Sequence, residues 1–272
     1  MKNQLAAALD AIHRQLGSTK LGTKLALKLR NQSNAVIRAH LNSGTDPTRN
    51  GEALLMAHIA PYVRTFFDVG ANQGQWAKEA LVNFPAASGV CFEPLPSVHD
   101  CLNDVLSGQK RVIWKALAIG DVPAIMNLYE CEPYSEMSSL VEMKDLHQGR
   151  AHSVRVSTVE LEAKELCWAE LDFLKIDVEG YDFNVLRGAG SLLDANAIGI
   201  IQFEYSGFWR KAGSTLDAAR TFLENRGYEV YLLRRNGICM VPYEPWGDYF
   251  GYSNYVAVSK DWKKRVLGIL RR

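Results

Sequence analysis

Eleven consecutive residues restrict the fold of this chain more than any others: Thr65-Phe66-Phe67-Asp68-Val69-Gly70-Ala71-Asn72-Gln73-Gly74-Gln75. Apolar Phe66, Phe67 and Val69 predict a short buried strand, the glycines predict a tight turn, and Trp76 to Val82 resumes at helical spacing. In such a strand, turn and helix start, small residues let a ligand approach the backbone, and the free N–H groups attract electron-rich groups. A phosphate fits that description, and so does the carboxylate of an amino-acid-derived cofactor. The turn is neither the Gly-x-Gly-x-x-Gly of a dinucleotide fold nor a lysine-bearing phosphate loop. Asp68 stands near the strand's exit, and a second strand, Gly89 to Phe92, ends on Glu93-Pro94. Glu93 lies 19 positions after Gly74, the usual place for a carboxylate that takes both ribose hydroxyls. The pair points to an adenosyl group with no phosphate to neutralise.

A chain of 272 residues is long enough for one large α/β core with terminal additions. Its 47% hydrophobic and 22% charged residues are ordinary for a soluble globular protein. No apolar run approaches the roughly 20 residues that span a bilayer, and the N-terminus lacks the pattern of an export signal. Five cysteines, odd in number and without C-x-x-C spacing, argue against a zinc cluster or a disulfide framework, and a cytoplasmic location is expected. The net charge of +1 is unevenly spread: residues 1 to 40 carry +6 and residues 260 to 272 carry +5, which leaves −10 for the middle. An acidic body does not offer nucleic acid the basic stripe it would need.

Residues 2 to 16 and 20 to 41 read as two helices, with Leu5, Leu9, Ile12 and Leu16, then Leu21, Leu25 and Leu29, at spacings of three and four. Two readings stand: the helices pack on the domain or a second subunit, giving a homodimer, or their basic amphipathic surface lies against anionic lipid. A turn cluster at Asn42 to Pro47 marks a join, and a further helix is expected over about 50 to 60. Strands are expected at 65–69, 89–93, 111–117, 172–177 and 198–204. Helices are expected near 74–83, 96–106, 182–188 and 215–226. Residues 124–130 and 153–159 read as short strands flanking a loop, and 228–233 with 255–258 as an antiparallel pair at one edge. The alternation predicts a mainly parallel, seven-stranded sheet covered by helices on both faces. The domains expected are a helical extension over 1–60, a catalytic domain over 61–260 and a basic tail over 261–272. Ligands bind such sheets outside the carboxyl ends of the strands. Asp68, Glu93, Asp177, Glu179 and Glu204 all fall at expected strand ends.

Asp68 to Gly74, Phe92-Glu93-Pro94, Ala116 to Asp121, and above all Leu174-Lys175-Ile176-Asp177-Val178-Glu179-Gly180 with Val185 to Ala189 resemble the FkbM family of S-adenosylmethionine-dependent methyltransferases. The resemblance covers about residues 63 to 206 and implies a Rossmann-like class I fold. It implies methyl transfer, usually to a hydroxyl of a sugar or a secondary metabolite, expected here in a glycan or glycosylated metabolite, and in a lipid-carried glycan if the basic helices lie against lipid. It also implies that Asp68, Gly70, Ala71, Asn72 and Gly74 bound the methionine end of the cofactor, and that Glu93, followed by Pro94, takes the ribose. Ala118, with Ala116 and Leu117, is the nearest candidate for the adenine pocket, or else strand core. Asp177 and Glu179 fall at the reaction centre as base, hydroxyl ligand or metal ligand, although Glu179 also suits a helix N-terminus. Lys175 is expected on the opposite face, paired with a carboxylate.

Glu204 and Tyr205, with Trp209 beyond them, are candidates for the acceptor wall, and Trp209 equally suits the core. Tyr181 is a further substrate candidate. The long connection from Glu130 to Arg150, with Tyr134, Ser138, Ser139 and His147, suggests a substrate loop. A metal-assisted variant would place Mg²⁺ on Asp177, Glu179 or Glu204, so that the ion lowers the acceptor's pKa. From another class comes a non-catalytic adenosyl-binding scaffold of a glycan-assembly complex. One departure from the family stands at Glu160-Leu161, where relatives commonly carry Leu-Asp.

Overall fold

The computed structural model describes residues 2–41, 49–131, 135–145, 150–240, 243–244 and 247–271. The chain divides into two compact units, residues 1–43 and 44–272. In the first, α1 (Lys2–Gly17) and α2 (Lys20–His40) form a helical hairpin. Thr19 starts α2: its backbone is extended and its Oγ1 accepts the Gly22 N–H at 2.9 Å, satisfying an amide that has no partner within the helix.

The second unit opens with α3 (Glu52–Ile59) and continues as β1 (Thr65–Val69), α4 (Gln75–Asn83), β2 (Ser88–Phe92), α5 (His99–Leu106) and β3 (Val112–Lys115). There follow β4 (Ala118–Ile119), β5 (Ala124–Tyr129), β6 (Ala151–Ser157), α6 (Val159–Glu165), β7 (Leu171–Ile176), α7 (Asp182–Arg187) and β8 (Ile198–Tyr205). The helix Leu216–Glu224 leads to β9 (Glu229–Arg234), β10 (Gly237–Cys239), β11 (Ser253–Val258) and β12 (Leu270–Arg271).

One sheet of nine strands runs in the order β12-β10-β9-β11-β8-β7-β1-β2-β3. From β8 to β3 every pairing is parallel, while β11, β9 and β10 pair antiparallel and β12 lies parallel to β10. The chain builds outward from β1 to β2 and β3, then returns to lay β7 on the other side of β1. The switch point, where a crevice must open, therefore lies between the carboxyl ends of β1 and β7. Both faces of β1 are buried, which explains its apolar Phe66, Phe67 and Val69. Phe66 packs against Trp76 and Phe84, and Phe67 against Phe92 and Trp168.

The sheet has two strands more than the seven expected. β10 and β12 are three and two residues long, too short to show a period, although Asn236-Gly237 is itself a hairpin signal. The 111–117 strand stops at Lys115, and Ala118–Ile119 joins a separate sheet, β4-β6-β5. That small sheet buries Leu95, Ala118, Leu128 and Val156 in a core of its own.

The expected boundaries at 60 and 261 also shift. Leu55, Met56 and Ile59 of α3, and Trp262, Val266 and Ile269 near the C-terminus, enter the same core cluster as Phe66 and Phe173. Residues 52–59 and 262–269 therefore belong to the α/β unit, because their apolar side chains complete its core.

Candidate active site

The glycine turn is fixed by its neighbours on both sides. Gly70 and Ala71 both donate their N–H groups to the Phe92 carbonyl, at 3.0 and 3.1 Å, and Asp177 N–H donates to the Val69 carbonyl at 3.0 Å. Gly70 has φ +81°, and a Cβ there would lie 1.9 Å from the Asp177 carbonyl oxygen, so only glycine lets β7 end this close to the turn. Asn72 follows with φ 47°. Its N–H donates to Glu93 Oε2 at 2.7 Å, while Leu95 N–H donates to Oε1 at 2.8 Å. Burial pushes the Glu93 carboxyl up to about 7, and these two backbone bonds oppose that rise.

Two cavities open on this turn. A narrow one of about 50 Å³ is lined by Gly70, Asn72, Glu93, Pro94, Leu117, Ala118, Ser138, Ser139, Asp177 and Glu179. A wider one of about 740 Å³ is lined by Glu52, Met56, Gly70, Ala71, Asn72, Gln73, Trp76, Lys175, Asp177 and Tyr252. They meet at Gly70, Asn72, Glu136 and Asp177. Of the two carboxylates that line both cavities, Glu136 and Asp177, the latter is joined to the end of β1 through its N–H, and its side chain is 39% exposed.

Behind it stands Lys175, two residues back on β7. Since side chains alternate along a strand, Lys175 shares the face of Asp177 rather than taking the opposite one. Its ammonium lies 3.2 Å from Asp68 Oδ1, 3.2 Å from the Gly70 carbonyl and 3.5 Å from Asp177 Oδ2. Burial alone would lower its pKa, but Asp68, Asp177 and Glu52 outweigh it and hold the ammonium well above its usual range. Asp68 itself is fully buried and lines neither cavity. Its expected contact with the cofactor is thus replaced by an ion pair with Lys175, which lies between it and the cleft.

On the other side of Asp177, one oxygen each of Asp177, Glu179 and Glu204 lie within 4.8 Å of one another. Burial, then the charge of Asp177, pushes Glu179 up to about 9 and Glu204 well above the carboxylate range. Glu179 has φ 51°, and Ser139 Oγ donates to its carbonyl at 2.7 Å, which ties the 138–139 segment to the loop after β7. Ser138 Oγ accepts the Cys131 N–H at 3.1 Å.

Several expected site residues lie elsewhere. Tyr205 is fully buried, its hydroxyl donating to Asp248 Oδ1 and accepting from Phe250 N–H, both at 3.0 Å. Trp209 is fully buried against it, with ring centroids 5.2 Å apart, so both are core and neither is acceptor wall. Tyr181 lines neither cavity; its hydroxyl faces the Met126 sulfur at 3.7 Å. Gly74 begins α4 with φ 84°, against Leu102 and Val105 rather than against a cavity. Tyr134 and His147 lie outside the described residues.

Residues that sequence reasoning missed are Glu52, Tyr252 and Glu136, together with the site role of Lys175. Glu52 Oε1 accepts from Asn50 Nδ2 at 2.7 Å and from Asn254 Nδ2 at 2.9 Å. No local pattern marks Glu52 or Tyr252, since they reach the cleft from α3 and from the segment before β11.

The donor set fits an adenosyl cofactor. A carboxylate has about four acceptor sites, so Glu93 keeps capacity on each oxygen for ribose hydroxyls after its two backbone bonds. Leu117, Ala118, Ile119 and Leu128 supply an apolar wall beside it.

Among known proteins, the sequence profile described as the methyltransferase FkbM domain matches residues 68–230. No curated protein matches the chain by sequence. Similar solved structures include an FkbM methyltransferase from Methylobacillus flagellatus KT, with a TM-score of 0.45 and 14% identity over 71% of this chain. This chain spans 43% of that protein's length. A fibrillarin pre-rRNA processing protein from Methanococcus jannaschii aligns at TM-score 0.44 and 14% identity, covering 79% of this chain and 76% of its own. The N-methyltransferase NodS from Bradyrhizobium japonicum WM9, in complex with S-adenosyl-L-homocysteine, aligns at TM-score 0.40 and 11% identity, covering 77% and 84%. With the profile spanning more than half of its residues, the chain belongs to the methyltransferase FkbM family, and its mainly parallel sheet is Rossmann-like.

Proposed function

We propose that this enzyme methylates a hydroxyl of a sugar, in a glycan or a glycosylated metabolite. The observation that carries the reading is Asp177: a partly exposed carboxylate, backed by the Lys175 ammonium, at the junction of the cleft beside Glu93 and a second cavity of about 740 Å³. S-adenosylmethionine, when bound, supplies an electrophilic methyl group on a sulfonium. Glu93 would hold the ribose, and the backbone of Gly70, Ala71 and Asn72 would border the methionine end. Asp177 would accept the acceptor's hydroxyl proton, a task for which a positioned base contributes roughly 10²- to 10⁴-fold. Lys175, 3.5 Å from Asp177 Oδ2, holds that carboxylate in place by its charge. The wider cavity offers carboxylate and amide side chains from Glu52, Gln73, Gln75 and Glu79, with Trp76 and Tyr252 as aromatic walls. Such a lining suits an uncharged, hydroxyl-rich acceptor, and its volume lies within the range usual for small-molecule sites.

Titration calorimetry with S-adenosylhomocysteine tests the cofactor half: wild type is expected to bind, and Glu93→Ala to bind at least about tenfold more weakly, given roughly 1.5–3 kcal/mol for hydrogen bonds to a charged group. Mass spectrometry of glycans with and without the purified enzyme and cofactor tests the acceptor half, through a gain of one CH₂ per acceptor. A product methylated on nitrogen, or none from any glycan, would defeat the sugar assignment.

A second reading has its own observation, the carboxylate oxygens of Asp177, Glu179 and Glu204 within 4.8 Å. Such a set could hold Mg²⁺, which would offset most of the cluster's charge and lower the acceptor hydroxyl's pKa. Turnover that survives exhaustive chelation unchanged removes it.

A further inference from the structure

The helical hairpin leaves a stripe of aliphatic side chains uncovered. Leu21, Leu25, Leu29 and Val36 share one arc of α2 and are 79, 53, 60 and 71% exposed, and Leu9, Ile12 and Leu16 repeat at three and four along α1 and are 46, 50 and 50% exposed. Lys20, Lys24 and Lys28 each precede one of the α2 leucines, so a row of ammonium groups borders the stripe. Residues 20 to 41 contain no acidic residue. Across residues 1 to 40, seven lysines and arginines stand against Asp10 alone, a net charge of +6, while the remaining chain carries −5.

We propose that this hairpin is a docking element for an anionic lipid surface, with the leucine stripe at the acyl boundary and Lys20, Lys24 and Lys28 among the headgroups. No helix among the described residues is long and apolar enough to cross a membrane, so the hairpin lies on the surface. Two properties of the stripe select this occupant. Apolar burial needs a partner with an apolar interior, which nucleic acid lacks, and the bordering charge needs an anionic one. A second copy of the same hairpin would bring +6 against +6. Lysine stems are long enough to keep their charge in the headgroup layer while the leucines sit deeper. The middle of the chain, at −10, is repelled by the same surface.

Vesicle flotation of the full chain tests this, with phosphatidylcholine vesicles compared with phosphatidylcholine containing phosphatidylglycerol. The protein is expected to float only with the anionic vesicles and to be released by high salt. Lys24→Ala with Lys28→Ala is expected to lower the partition coefficient roughly tenfold or more. Leu25→Glu with Leu29→Glu is expected to abolish flotation while leaving turnover on a soluble acceptor and the helical circular dichroism unchanged. Failure to float with anionic vesicles at low salt overturns the proposal. So does equal flotation with the uncharged vesicles, or a solution dimer that Leu25→Glu with Leu29→Glu dissociates.

Discussion

Lys175 has three N–H donors, and Asp68, the Gly70 carbonyl and Asp177 stand around it at 3.2 to 3.5 Å. Its role is accordingly to hold the turn and Asp177 in place, with no donor left for a ligand. Lys175→Met should strand Asp68 as a buried, uncompensated charge and destabilise the fold by roughly 3–5 kcal/mol, read by denaturant unfolding. Adding Asp68→Asn removes that charge and should restore most of the stability. Turnover of the double variant should stay low, because nothing then grips the Gly70 carbonyl or Asp177; recovery of turnover would reduce Lys175 to a counter-ion. Glu93 sets a pH dependence of its own. Its carboxyl rises from an ordinary 4.5 to about 7 in the fold, so between those values the folded state binds more protons than the unfolded one. By linkage, stability falls as pH rises through this window and levels off above it. Asp182, also pushed up to about 7 by burial and by Asp177, adds to the same slope. Cofactor affinity should move the other way, since ribose hydroxyls donate best to an ionised carboxylate. Calorimetry across the window should therefore show S-adenosylhomocysteine binding tighten towards pH 7 and above in wild type but not in Glu93→Gln.

Among the elements, the strand, turn and helix from Thr65 to Asn83 carry the site, and the turn tolerates little change. Gly70→Ala combines a left-handed backbone with a Cβ placed 1.9 Å from the Asp177 carbonyl oxygen, so the ends of β1 and β7 must part. Backbone strain of roughly 1–3 kcal/mol implies cofactor binding weakened about tenfold or more, with the loss visible in Kd before it is visible in unfolding. This part of the site was legible in the sequence because Glu93 and Asp177 each follow an apolar strand directly, and the strand direction delivers them to one crevice. Tyr205, expected in the acceptor wall, lies in the core, and for Trp209 the core alternative holds. An aromatic after a strand end suits a substrate wall and a core equally, and what decides for the core is Asp248, 43 residues further on, which takes the Tyr205 hydroxyl. Glu52 and Tyr252 gave no signal, since their approach to Lys175 depends on how α3 and the segment before β11 fold back over the sheet.

For the whole molecule, the parallel strands were readable from their short, mostly apolar segments, and the antiparallel side was readable only in part, because β10 and β12 are shorter than any period they could display. The sequence boundaries at 60 and 261 followed charge and turn residues, whereas the core follows apolar area. His58 Nε2 lies 2.9 Å from the Arg265 carbonyl, and α3 shares one apolar layer with Trp262, Val266 and Ile269. Segments about 200 positions apart in the chain thus seal the same side of the sheet. On the ribosome, that layer stays incomplete until synthesis has passed residue 269 and the exit tunnel has released it. The nascent chain emerges with Leu55 and Ile59 short of the partners that Trp262, Val266 and Ile269 supply, and this layer closes last.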